Sequence, residues 1–464
     1  PPPPPHTPPP PPAPNTETKS SAASDVYKRQ VLAADGAAHV LRRGDVTTLS
    51  FVLSNGRFLA FGFSLALFAS FGQTYFIALY SAELREAFGI GHGVFGSIYA
   101  AATLTSAVLM LPAGQAIDRV DLRPFSAVLA AGIAAACLFM AAVPVDSIVF
   151  LYLAILLLRF FGQGMMSHAS ATSMARYFDH ARGRAISIGS LGHAGGEAVF
   201  PILAVLLVGV VGWRESWAVI GGVLALGLIP LLLWLLKGHG GRHAEFLRRM
   251  AAPGEDIARG RQWSRREVLR DRFFHLLLPM FMAPSFIVTG IFFNQVPLVE
   301  TKGWTLSLFA GGFTVYAGAT VAAALLAGGL VDRLGATRLS PFILLPLAFG
   351  LLLLGIFDDP ITVFAFMASA GISTGLFNTV TGALFAEVYG VRHLGAIRAM
   401  TTSLMVFSTA LSPVAMGWLL EAGVGMEAIS LACFLGVLLA SALVPLALAG
   451  RRDKAFRAPE TRGH

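Results

Sequence analysis

Apolar and polar residues alternate along this chain in long blocks. From Arg57 onward, long apolar runs are separated by short hydrophilic breaks. An α-helix needs about 20 residues to cross a hydrocarbon core of ~30 Å. The pattern therefore predicts twelve membrane-spanning helices, at residues 57–80, 94–113, 124–143, 147–170, 183–211, 216–237, 273–298, 305–328, 340–357, 360–385, 399–420 and 425–449.

The longest hydrophilic break divides these runs into two sets of six. It covers residues 238–272, which are polar and basic. We therefore expect an all-α integral membrane protein with two pseudo-symmetric six-helix bundles. Their predicted limits are 51–237 and 273–449, with a cytoplasmic linker between them and a cytoplasmic tail at 450–464.

The first 50 residues differ in composition from the rest of the chain. Residues 1–14 are nearly all proline, and residues 15–50 are polar without periodicity. Such a segment cannot bury enough apolar surface to fold, so it is expected to be disordered. Residues 20–30 resemble translated adapter sequence, so we expect the native protein to start after Gln30. The pattern of a secretory signal peptide is not visible.

Composition agrees with a membrane protein. Hydrophobic residues make up 55% and charged residues 13% of the chain, and the mean hydropathy is +0.69. Soluble domains carry roughly 25% charged residues, so a soluble protein is excluded. Cys137 and Cys433 each lie inside an apolar run. They imply no disulfide framework or metal cluster, and we expect no cofactor and no bound metal.

The placement of basic residues predicts the orientation of the chain. One set of short loops contains Arg119, Arg123, Arg176, Arg182, Arg184, Arg333, Arg338, Arg392 and Arg398. The opposite set contains Arg85, Arg214 and Lys302 beside nine acidic residues. Loops rich in lysine and arginine stay in the cytoplasm. The net charge of +8 therefore indicates cytoplasmic faces rather than nucleic-acid binding, with both termini cytoplasmic and the chain in the inner membrane.

A charged segment occurs twice between apolar runs. The first hinge is Gly114–Arg123 and the second is Gly328–Arg338, and their Asp-Arg pairs lie 214 residues apart. Such a repeat is typical of transporters built from two related halves. The spacing resembles the G-x-x-x-D-R-x-G-x-[KR] loop signature of the major facilitator superfamily, with departures at Asp121 and Thr337. The resemblance implies an alternating-access transporter.

We expect the two hinges to act as a gate on the cytoplasmic side. Glu387, at the end of the tenth run, could form an ion pair there with Arg119 or Arg333. The alternative is ordinary solvated interface charge, worth at most ~1 kcal/mol per pair. The predicted gating residues are Gly114, Asp118, Arg119, Arg123, Asp332, Arg333, Gly335 and Glu387.

An arginine lies deep within the fourth apolar run. Arg159 shares a helical face with Gln163, and His168 adjoins that face. Intramembrane charges usually mark substrate or proton pathways, so we expect an anion site or part of a proton relay. A structural cation satisfied by carbonyl groups is the alternative. An arginine here also resembles the second motif of the superfamily, R-x-x-x-G, although Gln163 occupies the glycine slot.

The fifth run is rich in glycine and contains one acid, Glu197. A charged, unpaired carboxylate at that depth is costly. Glu197 could be a protonatable coupling site with His193 as partner, or a buried acid bonded to a neighbour. The Gly-Pro pair of drug–proton antiporters is missing from this run, which makes drug–proton exchange a weaker hypothesis.

The segment Arg176–Gly189 resembles the entry to helix 5 in the monocarboxylate-porter and oxalate–formate-exchanger branch. This resemblance implies small organic anions as substrates. The first run lacks the acidic-glycine-tryptophan signature of that branch, and the eighth lacks the Asp–Arg pair of animal members. The proton–lactate mechanism of those members therefore cannot be transferred residue by residue.

The first, seventh and tenth runs should line the cavity if the chain follows the superfamily plan. Scattered serines and threonines usually join helices, so amides within spans are better candidates. These are Gln73, Asn294, Gln295 and Asn378.

We therefore expect a monomeric secondary transporter that moves a monocarboxylate-type anion through the bilayer, with protons as the coupling ion. An exporter of hydrophobic or drug-like compounds is one alternative, and a non-transporting membrane sensor is another. An enzyme is not expected, because the histidines are dispersed and no metal or nucleophile motif is present.

Overall fold

A computed structural model describes residues 48–114, 117, 120–178, 182–250, 263–389 and 394–457. Within these ranges the secondary structure is helical and contains no β-strand. The chain divides into two units between Gly56 and Arg57, and the contacts below all lie within the second unit. Residues 1–47 of the tail that was predicted to be disordered lie outside these ranges, whereas residues 48–50 begin the helix Thr48–Phe68.

Among the described residues, twelve helices are long and apolar enough to cross a membrane, which confirms the predicted number. They are α1 Phe51–Ala78, α2 His92–Met110, α3 Leu122–Ala141, α4 Ile148–Tyr177, α5 Arg184–Val211, α6 Trp213–Leu235, α7 Arg272–Phe293, α8 Leu306–Val331, α9 Ala336–Ile356, α10 Ile361–Tyr389, α11 Met400–Glu421 and α12 Met426–Ala449. The bundle limits at 51–237 and 273–449 stay a prediction.

The seventh span ends earlier than the apolar run suggests. Asn294 leaves the helical conformation, with φ −96° and ψ 29°, and a separate helix follows at Gln295–Lys302. The Asn294 side chain donates to the Gly290 carbonyl oxygen at 2.9 Å. Pro297 lacks a backbone N–H and is tolerated best in the first turn of a helix. This break therefore places Pro297 where it costs no helical hydrogen bond.

The first span is broken near its middle. A 3₁₀ turn covers Ala69–Gly72, and Gln73 is extended with φ −79° and ψ 152° before a short helix at Thr74–Ala78. The fourth span is distorted at the facing position, because it widens into a π-helix over Arg159–Met166. Bulges of this kind occur frequently at functional sites.

The two distorted segments are in direct contact. A Cβ atom at Gly72 would collide with the Leu158 carbonyl oxygen and would lie 2.8 Å from Gly162 Cα. Glycine is therefore required at position 72 for the close approach of the two backbones. The break in α1 is held against the wide turn of α4 by packing.

The first six and the last six helices meet mainly through α2 with α11 and α5 with α8. Hydrogen bonds across this division join Gly93 N to Glu421 Oε1 at 2.8 Å and Gln295 Nε2 to the Tyr75 carbonyl oxygen at 2.9 Å. Both lie at the end of the helices where α1 finishes and α2 begins. We call this the sealed end, and the opposite end, which carries both hinges, the hinge end.

Candidate functional site

A cavity of about 500 Å³ lies between α5, α8 and α10. On α5 its lining runs from Ser187 to Glu197, which is the half of that helix nearer the hinge end. Lysine and arginine are absent from the described lining. Its polar side chains are Ser187, Ser190, His193, Glu197, Tyr316, Thr320, Thr374, Asn378 and Thr379.

Glu197 is the acid of this cavity. It interacts electrostatically with the phenol groups of Tyr75 and Tyr316, and Tyr316 donates to Thr374 Oγ1 at 3.2 Å. His193, one turn earlier on α5, lines the same cavity. Glu197 forms no ion pair with any described residue. An ionised carboxylate in this position would therefore lack a compensating charge, which is costly inside a membrane.

Arg159 lies outside the cavity lining and is only 3% exposed. Its Nη1 donates to the Gly72 carbonyl oxygen at 3.1 Å and to Thr74 Oγ1 at 3.4 Å. The guanidinium lies 5.0 Å from the centre of the Tyr99 ring, within cation–π range. Its Nε has no partner in the described part of the chain. The positive charge is thus stabilised by a carbonyl oxygen, a hydroxyl group and an aromatic ring, and by no carboxylate of the described residues.

The short helix that follows the break in α1 connects these two sites. Thr74 accepts hydrogen bonds from Arg159 and, at 2.6 Å, from Tyr99. The next residue, Tyr75, interacts with Glu197, and its ring lies 5.3 Å from that of Phe313. The segment therefore contacts Arg159 directly and lies within electrostatic range of Glu197, while the Tyr75 hydroxyl has no hydrogen-bond partner among the described residues.

The other predicted residues of α1 and α4 lie apart from the cavity. Gln73 forms the extended break of α1, and its side chain is half-buried. Gln163 lies in the wide turn of α4, also half-buried. His168 lies near the first hinge, with Nε2 3.3 Å from the Gly114 carbonyl oxygen.

The predicted amides have different locations. Asn378 lines the cavity with Glu197. Asn294 caps α7 and is buried. Gln295 is fully buried at the sealed end, where Nε2 donates to the Tyr75 carbonyl oxygen and Oε1 has no partner among described residues. The structure thus brings Glu197 and Asn378 together and places the other two amides in contacts at the sealed end.

The first hinge is described in part, because Asp118 and Arg119 lie outside the described residues. Arg176, at the end of α4, donates from Nη1 to the Ile117 carbonyl oxygen at 2.8 Å. Asp121 is the N-cap of α3, and Oδ1 accepts from Arg123 N at 2.8 Å. Aspartate is among the preferred N-cap residues, and φ at Asp121 is −59°. Glycine is therefore not needed where this hinge departs from the superfamily signature.

The second hinge does need its glycine, because φ at Gly335 is +81°. The Glu387 carboxylate accepts from Ala336 N at 2.8 Å and from the hydroxyl of Thr337 at 2.7 Å. It thus binds the backbone of the second hinge, just after Gly335, rather than pairing with Arg333, which is exposed. The side chain of Asp332 is not described.

The two hinges therefore differ in the charge that holds them. The cationic Arg176 binds a carbonyl oxygen of the first hinge, whereas the anionic Glu387 binds N–H groups of the second. The positive charge of Arg176 thus meets the negative, carbonyl end of a peptide group, and the negative charge of Glu387 meets the positive, N–H end.

Sequence reasoning missed three residues that complete the two sites. Tyr99 contacts Arg159, and Tyr316 and Thr320 line the cavity. The tyrosine of the eighth apolar run, followed by threonine at i+4, was the available signal for the cavity pair. No comparable signal existed for Tyr99, because its partner comes from a different helix.

Several charged groups at or near helix ends lie together at the sealed end. Lys302 Nζ lies 2.5 Å from Asp358 Oδ1 and 3.4 Å from Glu427 Oε1. Burial raises the pKa of Glu83 and lowers the pKa of Arg85.

Among the residues that the structure describes, no group of three His, Cys, Asp or Glu side chains is placed to hold a metal ion.

Twelve membrane-spanning helices in two contacting sets of six, with a polar cavity between them, are the architecture of a membrane transporter. A family model described as the Major Facilitator Superfamily matches residues 59–315 and 299–463. Since these matches cover most of the chain, the protein belongs to the Major Facilitator Superfamily. It is therefore a transporter and not an enzyme.

Solved structures share the fold. A bacterial homolog of the human lysosomal transporter Spinster, in an inward-facing and occupied conformation, is 16% identical with a TM-score of 0.62. The alignment covers 90% of this chain and 100% of that one. The inward-facing, unoccupied conformation gives 15% identity, the same coverage and a TM-score of 0.62. The comparison with curated protein sequences gives no match.

Proposed function

We propose that the protein moves a small organic anion of monocarboxylate type across the cytoplasmic membrane by alternating access, together with protons. Both termini are cytoplasmic in this proposal, so the hinge end faces the cytoplasm. The observation that carries it is the burial of Arg159 without a carboxylate partner in the described chain. A cation at this depth is costly unless an anion compensates it, and a substrate carboxylate supplies that charge.

The access route follows from the contacts at the sealed end. Arg159 donates to Gly72 and Thr74, which precede Tyr75. The Tyr75 carbonyl oxygen accepts from Gln295 in the helix Gln295–Lys302 that follows α7. When the contact between Tyr75 and Gln295 breaks, the segment that covers Arg159 is released from the second half of the protein. Arg159 is then reachable from the outside.

Glu197 is the proton carrier in this proposal. Its cavity lies on the hinge-end side, and among the described lining residues no lysine or arginine faces its carboxyl group. A proton neutralises the group when it is enclosed and leaves when water enters from the cytoplasm. Because Thr74 contacts Arg159 and Tyr75 interacts with Glu197, anion binding at one site changes the surroundings of the other.

Uptake by proteoliposomes tests this proposal. We expect labelled monocarboxylates to accumulate when the interior is alkaline, and dicarboxylates to enter more slowly because the site offers one guanidinium. The variant Glu197→Gln, which cannot release a proton, should bind solute but lose acceleration by the pH gradient. Failure of every carboxylate to enter would refute the substrate class.

The composition of the cavity supports a second candidate function. Its described lining contains no lysine or arginine, and it includes several aliphatic residues such as Leu191, Val321 and Leu325. An uncharged or hydrophobic solute would fit this lining without Arg159. Transport of a hydrophobic dye that is unaffected by the substitution Arg159→Met would favour this candidate over the anion.

A further inference from the structure

A second concave surface lies between α7, α11 and α12, away from the cavity of Glu197. It encloses about 450 Å³. Each helix contributes residues at helical spacing, and α12 contributes Ile429, Ala432, Cys433, Gly436 and Ala440. We call this surface the lateral groove. It has no role in the proposed transport cycle.

The lateral groove offers nothing polar to a ligand or to water. The hydroxyl of Ser408 lies in its lining but donates to the Met282 carbonyl oxygen at 3.1 Å. Apolar cavities of this kind stay dry. All of its residues belong to membrane spans, so hydrocarbon is the medium that surrounds it.

The length and depth of the groove match one lipid chain. On α11 the lining extends from Ser408 to Leu419, and 11 residues of helix rise about 16 Å. Half of a ~30 Å hydrocarbon core is ~15 Å, the depth of one leaflet. The groove begins within three residues of the sealed ends of α11 and α12, so it covers the leaflet at that end.

The charge at the mouth of the groove favours one class of headgroup. Two acids lie at the helix ends beside the groove, because Glu421 ends α11 and Glu427 is in the first turn of α12. The loop between these helices, residues 422–425, carries no charged residue. Asp358 and Asp359 lie in the loop between α9 and α10. Lys302, at the end of the helix Gln295–Lys302, forms ion pairs with Asp358 and Glu427. This acidic rim attracts an ammonium group and repels an anionic headgroup.

We propose that the lateral groove binds one acyl chain of a phospholipid with an ammonium headgroup, from the leaflet at the sealed end. The chain lies against Cys433 and Gly436, and the headgroup lies over the acidic rim. Gly436 has nothing within 4 Å of the position of a Cβ atom, so a larger side chain can enter the groove without disturbing the helices.

Native mass spectrometry of the detergent-purified protein tests the site. After incubation with phosphatidylethanolamine, we expect the protein to retain one lipid. The substitution Gly436→Phe fills the groove and should lower retention about tenfold, the change that 1.4 kcal/mol produces. The variant Ala432→Phe provides a second test should Gly436→Phe fail to fold. Leu435→Phe is the matched control, because Leu435 is 63% exposed on another face of α12.

Cysteine chemistry gives an independent measurement. Cys137 is fully buried and Cys433 is half-buried, so a membrane-permeant maleimide should reach Cys433 but not Cys137. The reaction should be slow, because apolar surroundings disfavour the thiolate that reacts. Phosphatidylethanolamine should slow this reaction about tenfold, the equivalent of 1.4 kcal/mol. In a Cys433→Ser, Leu435→Cys variant the lipid should have little effect. The proposal is overturned by equal slowing at both positions, by equal retention of phosphatidylglycerol, or by retention of a fatty acid or detergent instead.

Discussion

The substitution Arg159→Met separates a functional arginine from a structural one. Methionine keeps the length and apolar stem of the side chain but removes its charge. If Arg159 serves to bind an anion, its removal should strongly reduce transport and leave the fold intact. If it serves as a structural cation, its removal should destabilise the protein.

The contacts of Arg159 set the magnitude of the effect on stability. Loss of its charge-assisted hydrogen bonds to Gly72 and Thr74 costs ~1.5–3 kcal/mol each, and loss of the contact with Tyr99 costs up to ~2 kcal/mol. Removal of a buried, unpaired charge stabilises the folded protein by several kcal/mol, because the cost of burying the charge is no longer incurred. These effects are opposite in sign, so we expect the free energy of unfolding to change by less than about 2 kcal/mol.

The effect on transport should be much larger. A hydrogen bond between a guanidinium and a carboxylate contributes ~1.5–3 kcal/mol, so uptake of a monocarboxylate at low concentration should fall roughly 10- to 100-fold. Thermal unfolding in detergent and initial uptake rates in proteoliposomes measure the two quantities on the same preparation.

Arg214 provides a matched control for this substitution. It also donates to backbone carbonyl oxygens, those of Ala141 at 2.9 Å and Val143 at 3.1 Å, and it lies over the Trp213 ring. It is located at the sealed end, away from the proposed site. Arg214→Met should therefore affect stability as much as Arg159→Met does, but not uptake. Unchanged uptake by Arg159→Met, or a large loss of its stability, would refute the anion-binding role.

Three further predictions concern other parts of the protein. Glu197→Gln should remove the effect of a pH gradient on uptake while solute exchange at equal pH continues, and retained gradient dependence would exclude Glu197 as the carrier. Gly72→Ala should destabilise the protein by ~1–3 kcal/mol through overpacking, because its Cβ would lie 2.6 Å from Gln163 N. Thermal unfolding measures this loss, and Gly209→Ala should be neutral because the space around Gly209 is open. The helix His239–Met250 should loosen as the pH falls from about 6.5 towards 4, because burial lowers the pKa of His239 to about 4. The released helix then binds a proton that the packed helix excludes. The protection of its amides against hydrogen exchange, relative to the intrinsic exchange rate at each pH, should therefore fall over that range, and in His239→Phe it should not.

The number and approximate limits of the spans could be predicted from sequence because each depends on one local property, the length of an apolar run. The internal shape of a span could not be predicted in this way. The break in α1 depends on Gly72 meeting Leu158 and Gly162 of α4, which is a contact between distant parts of the chain. Asn294 ends α7 early for a local reason, the side-chain cap and the following Pro297.

Candidate residues could be chosen by charge and depth, but their grouping could not. Arg159 and Glu197 are both unusual residues for a membrane span, and both lie at sites with functional potential. His168, adjacent to the Arg159 face in sequence, instead contacts Gly114 of the first hinge. The wide π-turn of α4 changes the helical register after Arg159, so positions further along the helix no longer share the face that a regular α-helix would give them.

The central claim is that a proton moves with an organic anion. A pH-sensitive dye inside proteoliposomes measures this directly when a monocarboxylate is added outside without an imposed gradient, with protein-free vesicles as the reference for passive entry. Proton symport predicts acidification of the interior in step with labelled solute, and loss of this acidification in both Glu197→Gln and Arg159→Met. Protein-dependent entry of the solute with no change in internal pH would exclude proton symport.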